Sequence, residues 1–135
     1  MVKRSNELSL EELSILNNPQ HTKIVDFKTA LSSFIDDCEI RNLRPHTIQY
    51  YKNELSLFYK SLREQGIDPS PSKISKDHIK DTILYLKNKG LKTVTINTRL
   101  RAIRAFFNFL YREKHIKKNP VSDLKLLKDR RKVVE

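Results

Sequence analysis

Residues 95–120 read TINTRLRAIRAFFNFLYREKHIKKNP. Ile96, Leu100, Ile103, Phe107 and Leu110 recur every three or four residues. At about 100° per residue all five fall on one helical face. Ala102, Phe106 and Phe109 widen it. A half-buried strand would alternate with a period of two, and this stretch does not. It therefore reads as a long helix with a broad apolar side, which must be covered by other apolar elements.

The remainder of the chain repeats that pattern. Phe27, Leu31, Phe34 and Cys38, with Ile35 alongside, predict a helix from about Lys23 to Asn42, its acidic Asp36, Asp37 and Glu39 largely on other sides. Pro45 suits a first helical turn, and Ile48, Tyr51, Leu55, Phe58, Tyr59 and Leu62 continue as one stripe that Tyr50 falls off. Gly66 is the expected stop, and Pro69 and Pro71 stiffen the connector behind it. Ser75 is the expected N-cap of the next helix, with Asp77 in its first turn, Ile79, Ile83 and Leu86 as its stripe and Gly90 at its end. Thr93 or Thr95 is expected to cap the long helix, which runs to about Lys114 before Asn119-Pro120. Residues 122–127 could add one or two helical turns. Near the N-terminus, Ser9 with Glu12 forms a capping box for a short helix that Asn17, Asn18 and Pro19 stop.

The expected fold is all-α, with two helical hairpins at residues 24–65 and 75–114. The organisation expected is an N-terminal extension at 1–23, a helical domain at 24–125 and a basic linker at 126–135. Only two glycines interrupt the 135 residues, which disfavours a sheet protein and its turns.

Several function classes find no support. No apolar run nears the roughly 20 residues that span a bilayer, and the first ten residues lack the apolar core of a secretory signal. A single cysteine, Cys38, fits a reducing, cytoplasmic compartment, and its apolar stripe points to burial. No Cys/His spacing suits a metal, no Gly-rich loop suits a nucleotide, and no cofactor is expected. No catalytic residues are assigned.

Charge points elsewhere. Of a net +11, residues 91–135 carry +9, with 13 Lys/Arg against 4 Asp/Glu. A basic half suits a polyanionic partner. On the long helix, Asn97, Arg101, Arg104, Asn108 and Arg112 occupy the arc left by the apolar face, with no acid before Glu113. A solvated face would mix signs; this one offers donors, which suit phosphate and guanine edges. Thr93, Thr95 and Asn97 at its start, beside the positive dipole end, could hold phosphate. Arg44, His46, Thr47, Gln49 and Lys52 repeat the theme on the other long helix. With Arg99, Lys117 and Lys118 these make the candidate set for duplex DNA. Two alternatives stand beside it. A helix-turn-helix regulator would need a short recognition helix after a tight turn, against the two-proline connector here. A helical protein-interaction module could use Leu10–Leu16.

The ordered residues Thr47, Tyr50 or Tyr51, Leu57-Phe58, then Thr95-Ile96, Leu100, Arg104, Phe106-Phe107 and Asn119-Pro120 resemble the N-terminal core-binding domain of tyrosine recombinases, the phage integrase family. The resemblance covers roughly residues 24–125. It implies a four-helix, SAM-like domain of two crossed hairpins that forms half of a clamp on the DNA core site, monomeric alone and meeting other protomers on DNA. It implies a bacterial or phage-encoded, nucleoid-associated parent protein with no membrane partner. In that family a tyrosine of a second domain cleaves DNA through a 3′-phosphotyrosine link. The His-x-x-Arg motif of that domain is absent: Ile24, Gln49, Asp81 and Lys118 follow the four histidines at the third position. The chain is expected to end where the linker to catalysis begins, and to bind DNA without cutting it. Denaturing electrophoresis after incubation with a suicide DNA substrate should show no covalent adduct; a band dependent on any one of the five tyrosines would overturn that expectation.

Overall fold

The computed structural model describes residues 26–130. Four helices make up the described fold: α1 (Phe27–Ile40), α2 (Pro45–Glu64), α3 (Lys76–Asn88) and α4 (Thr93–Arg112), with a 3-10 turn at Pro71–Lys73 between α2 and α3. No strand occurs among the described residues. The short helix expected from Ser9, and the expected start of α1 at Lys23, lie outside them.

The helix starts fall into two kinds. At α1 the Asp26 carboxylate accepts the Thr29 N–H at 2.7 Å, which holds its carboxyl below the usual range. At α3 the Ser75 hydroxyl accepts the His78 N–H at 3.2 Å while His78 Nδ1 accepts the Ser75 N–H at 3.0 Å. This is a reciprocal capping box with histidine in the place usually held by Glu or Gln. The long helices α2 and α4 have no side-chain cap. Their N-caps are Arg44 and Lys92, so neither Thr93 nor Thr95 caps α4 as the sequence suggested. Thr93 is already the first helical residue.

All four helices end alike. A residue with positive φ follows each: Asn42 (61°), Gly66 (74°), Gly90 (90°) and Lys114 (63°). The next N–H then reaches back five residues, Leu43 to Cys38, Ile67 to Leu62, Leu91 to Leu86 and His115 to Leu110, at 2.8–3.2 Å. This 6→1 bond satisfies a terminal carbonyl, and in the first three cases an apolar residue then folds back on the helix. Two glycines marked two of these stops. Asn42 and Lys114 hold the same left-handed backbone at some steric cost.

The core is aromatic. Phe34, Phe58, Phe106 and Phe107 are fully buried, and Phe27 nearly so. Phe27 meets Phe58 at 6.0 Å and Phe106 at 5.2 Å, while Phe34 meets Tyr51, Phe106 and Phe109 at 5.0–5.7 Å. Cys38 is buried beside them. The most extensive packing is between α2 and α4. Tyr50 meets Thr98, Glu54 meets Arg99 and Phe58 meets Phe107. Numbers rise together on both helices, so the two run in the same direction and start at the same end of the molecule. The short α3 is tied to the end of α2 by Gln65, whose amide donates to the buried Thr82 hydroxyl at 2.9 Å.

Beyond α4 the chain doubles back. Ile116 and Val121 are buried, and Leu124, Leu126 and Leu127 pack against the core. Residues 122–127 do not form the helical turns expected. Two overlapping turns (Ser122 N–H to the Asn119 carbonyl, 3.3 Å, and Leu124 N–H to the Val121 carbonyl, 3.0 Å) give way to a strap along α4.

Phe107→Ala should lower unfolding free energy by about 3–5 kcal/mol, since it empties a fully packed ring site. A urea titration followed by circular dichroism measures this. A loss below about 1 kcal/mol would show that the four-helix seam can collapse around the gap.

Candidate nucleic-acid interface

The parallel run of α2 and α4 brings two uncapped helix starts together. Pro45 has no N–H to give, and the first turn of α4 offers those of Thr93, Val94 and Thr95. Each end carries partial positive charge from its helix dipole. Arg44, His46 and Thr95 are exposed there, with Thr47 and Thr93 half-buried. One turn in, Tyr50 is half-buried in the seam and donates its phenol to the Thr98 carbonyl at 2.6 Å. Burial raises the Tyr50 phenol pKa, Tyr51 and Glu54 add to it, and the neighbouring Arg101 opposes. Arg101 is exposed beside it, and Arg104 lies one turn on, half-buried. Neither arginine makes an ion pair with a described carboxylate. The arrangement offers hydroxyls, amides and guanidinium groups, with the neighbouring Glu54 carboxylate already engaged by Arg99 at 2.9 Å, and can hold an anionic oxygen.

Other expected members lie elsewhere. Asn97 is buried and does not face outward: its Nδ2 donates to the Leu127 carbonyl at 3.0 Å, and its Oδ1 accepts the Leu127 N–H at 2.8 Å. Its amide is used as a clip for the strap. Arg99 is also buried, its Nε donating to Glu54 Oε1 at 2.9 Å between α2 and α4. Its helical position lies well away from Arg101 and Arg104, so the periodicity alone could have removed it. No local signal marks Asn97, whose partner is thirty residues away.

Lys52 turns the other way, lining a groove with Asp36 and Glu39 of α1. Gln49 is exposed and donates to Asn53 at 2.9 Å. Arg112 stands seventeen residues beyond Thr95, about 25 Å along the helix. It stacks over the Phe109 ring at 5.6 Å and lies 3.6 Å from Asp37 and 3.5 Å from Glu113, so much of its charge is offset. Lys117 and Lys118 line a separate cleft at that far end. What unites is thus Arg44, His46, Thr47, Thr93, Thr95, Arg101 and, at the edge, Arg104. Tyr50, which ties α2 to α4 near both helix starts, was not among the expected site residues; its departure from the apolar stripe was the available signal.

Among the described residues no helix is long and apolar enough to cross a membrane, and no group of three or more His, Cys, Asp or Glu is placed to hold a metal ion.

The model of the family described as phage integrase, N-terminal SAM-like domain, matches residues 31–114. Among curated proteins, the tyrosine recombinase XerC of Haemophilus influenzae (strain Rd) is 32% identical over 97 residues, covering 71% of this chain and 32% of its own. XerC of Bacillus subtilis is 31% identical over 110 residues, 78% of this chain and 35% of its own. XerD of Rickettsia bellii is 30% identical over 95 residues, 70% and 30%. The chain spans about a third of the length of these relatives. No solved structure matches it.

Arg99→Ala should cost about 3–5 kcal/mol of stability, because it leaves the Glu54 carboxylate without its partner at a mostly buried site. Replacing both, as Arg99→Met with Glu54→Leu, should recover most of that in the same urea titration. A single variant as stable as the parent chain would mean that the pair contributes nothing to the seam.

Proposed function

The chain belongs to the phage integrase N-terminal SAM-like family, and we propose that it binds duplex DNA as the core-site half of a tyrosine recombinase. The observation that supports this most is the meeting of two uncapped helix starts with Arg44, Thr95 and Arg101 at one end of the molecule. Phosphate oxygens would be held by the α4 N–H groups and the hydroxyls of Thr93 and Thr95. Arg101, about two turns further in, would reach a base edge or a second phosphate. Such contacts position the protein through the backbone and read sequence through few side chains. In the whole protein, cleavage through a tyrosine would fall to a further domain, and neighbouring protomers on the same DNA would be its protein partners.

Binding should be strongly salt-dependent. For about six phosphate contacts, log K against log[salt] should have a slope of about −5. A slope near zero would favour a protein-interaction module instead. Arg101→Ala and Arg104→Ala should change stability by no more than about 0.5 kcal/mol. Each should weaken DNA binding. A bidentate guanine contact would cost about 1–3 kcal/mol at particular sequences, and a phosphate contact would weaken all sequences alike. If both variants bind like the parent chain, this face does not meet DNA.

A further inference from the structure

We propose that the acidic, leucine-rich stretch of this chain at residues 7–16 docks in cis on the lysine-rimmed cleft at the C-terminal end of α4. The proposal is independent of the DNA reading, which rests on the opposite end of that helix. The cleft has a volume of about 880 Å³ and, among the described residues, no carboxylate in its walls. Lys73 and Lys76 rise on one side, Lys117 and Lys118 on the other. Lys73 is partnered by Asp68 at 3.4 Å and Lys76 by Asp123. Lys117 and Lys118 make no ion pair among the described residues, and both are exposed. Beneath these cations the floor is apolar, formed by Ile74, Ile116 and Pro120, with the half-exposed Tyr111 ring on the rim.

A phosphate backbone has no use for that floor. The surface fits a peptide that brings carboxylates and aliphatic side chains together. Residues 7–16 read ELSLEELSIL, and between residues 5 and 20 there are three Glu and no Lys or Arg. In helical register Leu10, Leu13 and Leu16 share a side, and Glu12 stands at its edge. The leucines match the floor, and the glutamates match Lys117 and Lys118, which make no ion pair among the described residues.

Connectivity favours the chain's own segment over a second copy. Nine residues, 17–25, separate it from Asp26, a reach of about 30 Å when extended. The Phe27 ring lies 5.2 Å from that of Phe106, and Tyr111 at the cleft is about 7.5 Å further along α4. The cleft is thus well within reach, at an effective concentration of about millimolar for a short tether.

A zero-length carbodiimide cross-linker on the full chain tests this, with peptide mapping of the products. The expected result is a link from Glu11 or Glu12 to Lys117 or Lys118 in the monomer band. It should vanish in Lys117→Glu with Lys118→Glu, and return when Glu11→Lys and Glu12→Lys are added. The second step separates loss of docking from loss of the reactive amine. The same link confined to a dimer band would overturn the proposal in favour of a second copy. Links to other lysines only, or none, would also overturn it. If the lysine reversals instead weaken DNA binding while no link forms, the cleft is a nucleic-acid surface.

Discussion

The seam between α2 and α4 is the constraint on which the remaining geometry rests. Three kinds of contact hold it, arranged along its length: a phenol on a backbone carbonyl at Tyr50–Thr98, an ion pair at Glu54–Arg99, and stacked rings at Phe58–Phe107. The rings supply most of the burial energy, at about 25 cal/mol per Å² removed from water. They do not by themselves choose a register, because one phenylalanine slot resembles the next. The polar contacts do. Sliding one helix by a turn would strand the Glu54 carboxylate and the Arg99 guanidinium in a mostly buried seam, at a cost far above that of losing a ring contact. Register in turn determines that both helix starts lie at the same level, and only at the same level can they face one surface.

The distribution of caps follows the same logic. A side-chain cap gives a helix start its own acceptor and neutralises part of the dipole. The two shorter helices have one, through Asp26 and Ser75. The two long ones do not, and their N-cap residues are both cationic, Arg44 and Lys92. A cationic side chain beside a positive helix end is locally unfavourable. The arrangement disagrees with helix-forming preference at the two places where the chain concentrates donors, and local disagreement of this kind is expected where a surface serves something other than folding.

Much of this was legible in the sequence. Period and punctuation placed all four described helices to within a few residues, because apolar stripes and Gly, Pro and Ser signals act locally. The stops at Asn42 and Lys114 were less visible, since a left-handed terminus needs only a residue that tolerates it, and Asn and Lys advertise this less than glycine. Of the candidate site, the exposure of Thr95 and Arg101 was legible from the helical wheel, and Arg44 is exposed at the N-cap of α2. Asn97 and Arg99 do not serve as the composition suggested, because a donor-rich side chain on a helix can meet the protein's own carbonyl or carboxylate as readily as a ligand. Only tertiary placement of Leu127 and Glu54 distinguishes the two uses.

The clip at Asn97 gives the strap its meaning. A chain leaving a helix along its own flank has peptide groups that are partly shielded from water, with no ladder to pair them. One side-chain amide offers a donor and an acceptor in the spacing of a peptide group, and here both are used on Leu127. Asn108 accepts from Asn119 at the other end of the strap at 2.9 Å, and Lys76 of α3 holds Asp123 between them. The strap is therefore tied to α4 at two points, one helical face away from its apolar stripe. The helix that presents Arg101 also sets the path of the chain beyond residue 119. A shift of α4 along the seam would move both together, so the path of the strap to Leu127 is coupled to the orientation of the basic end.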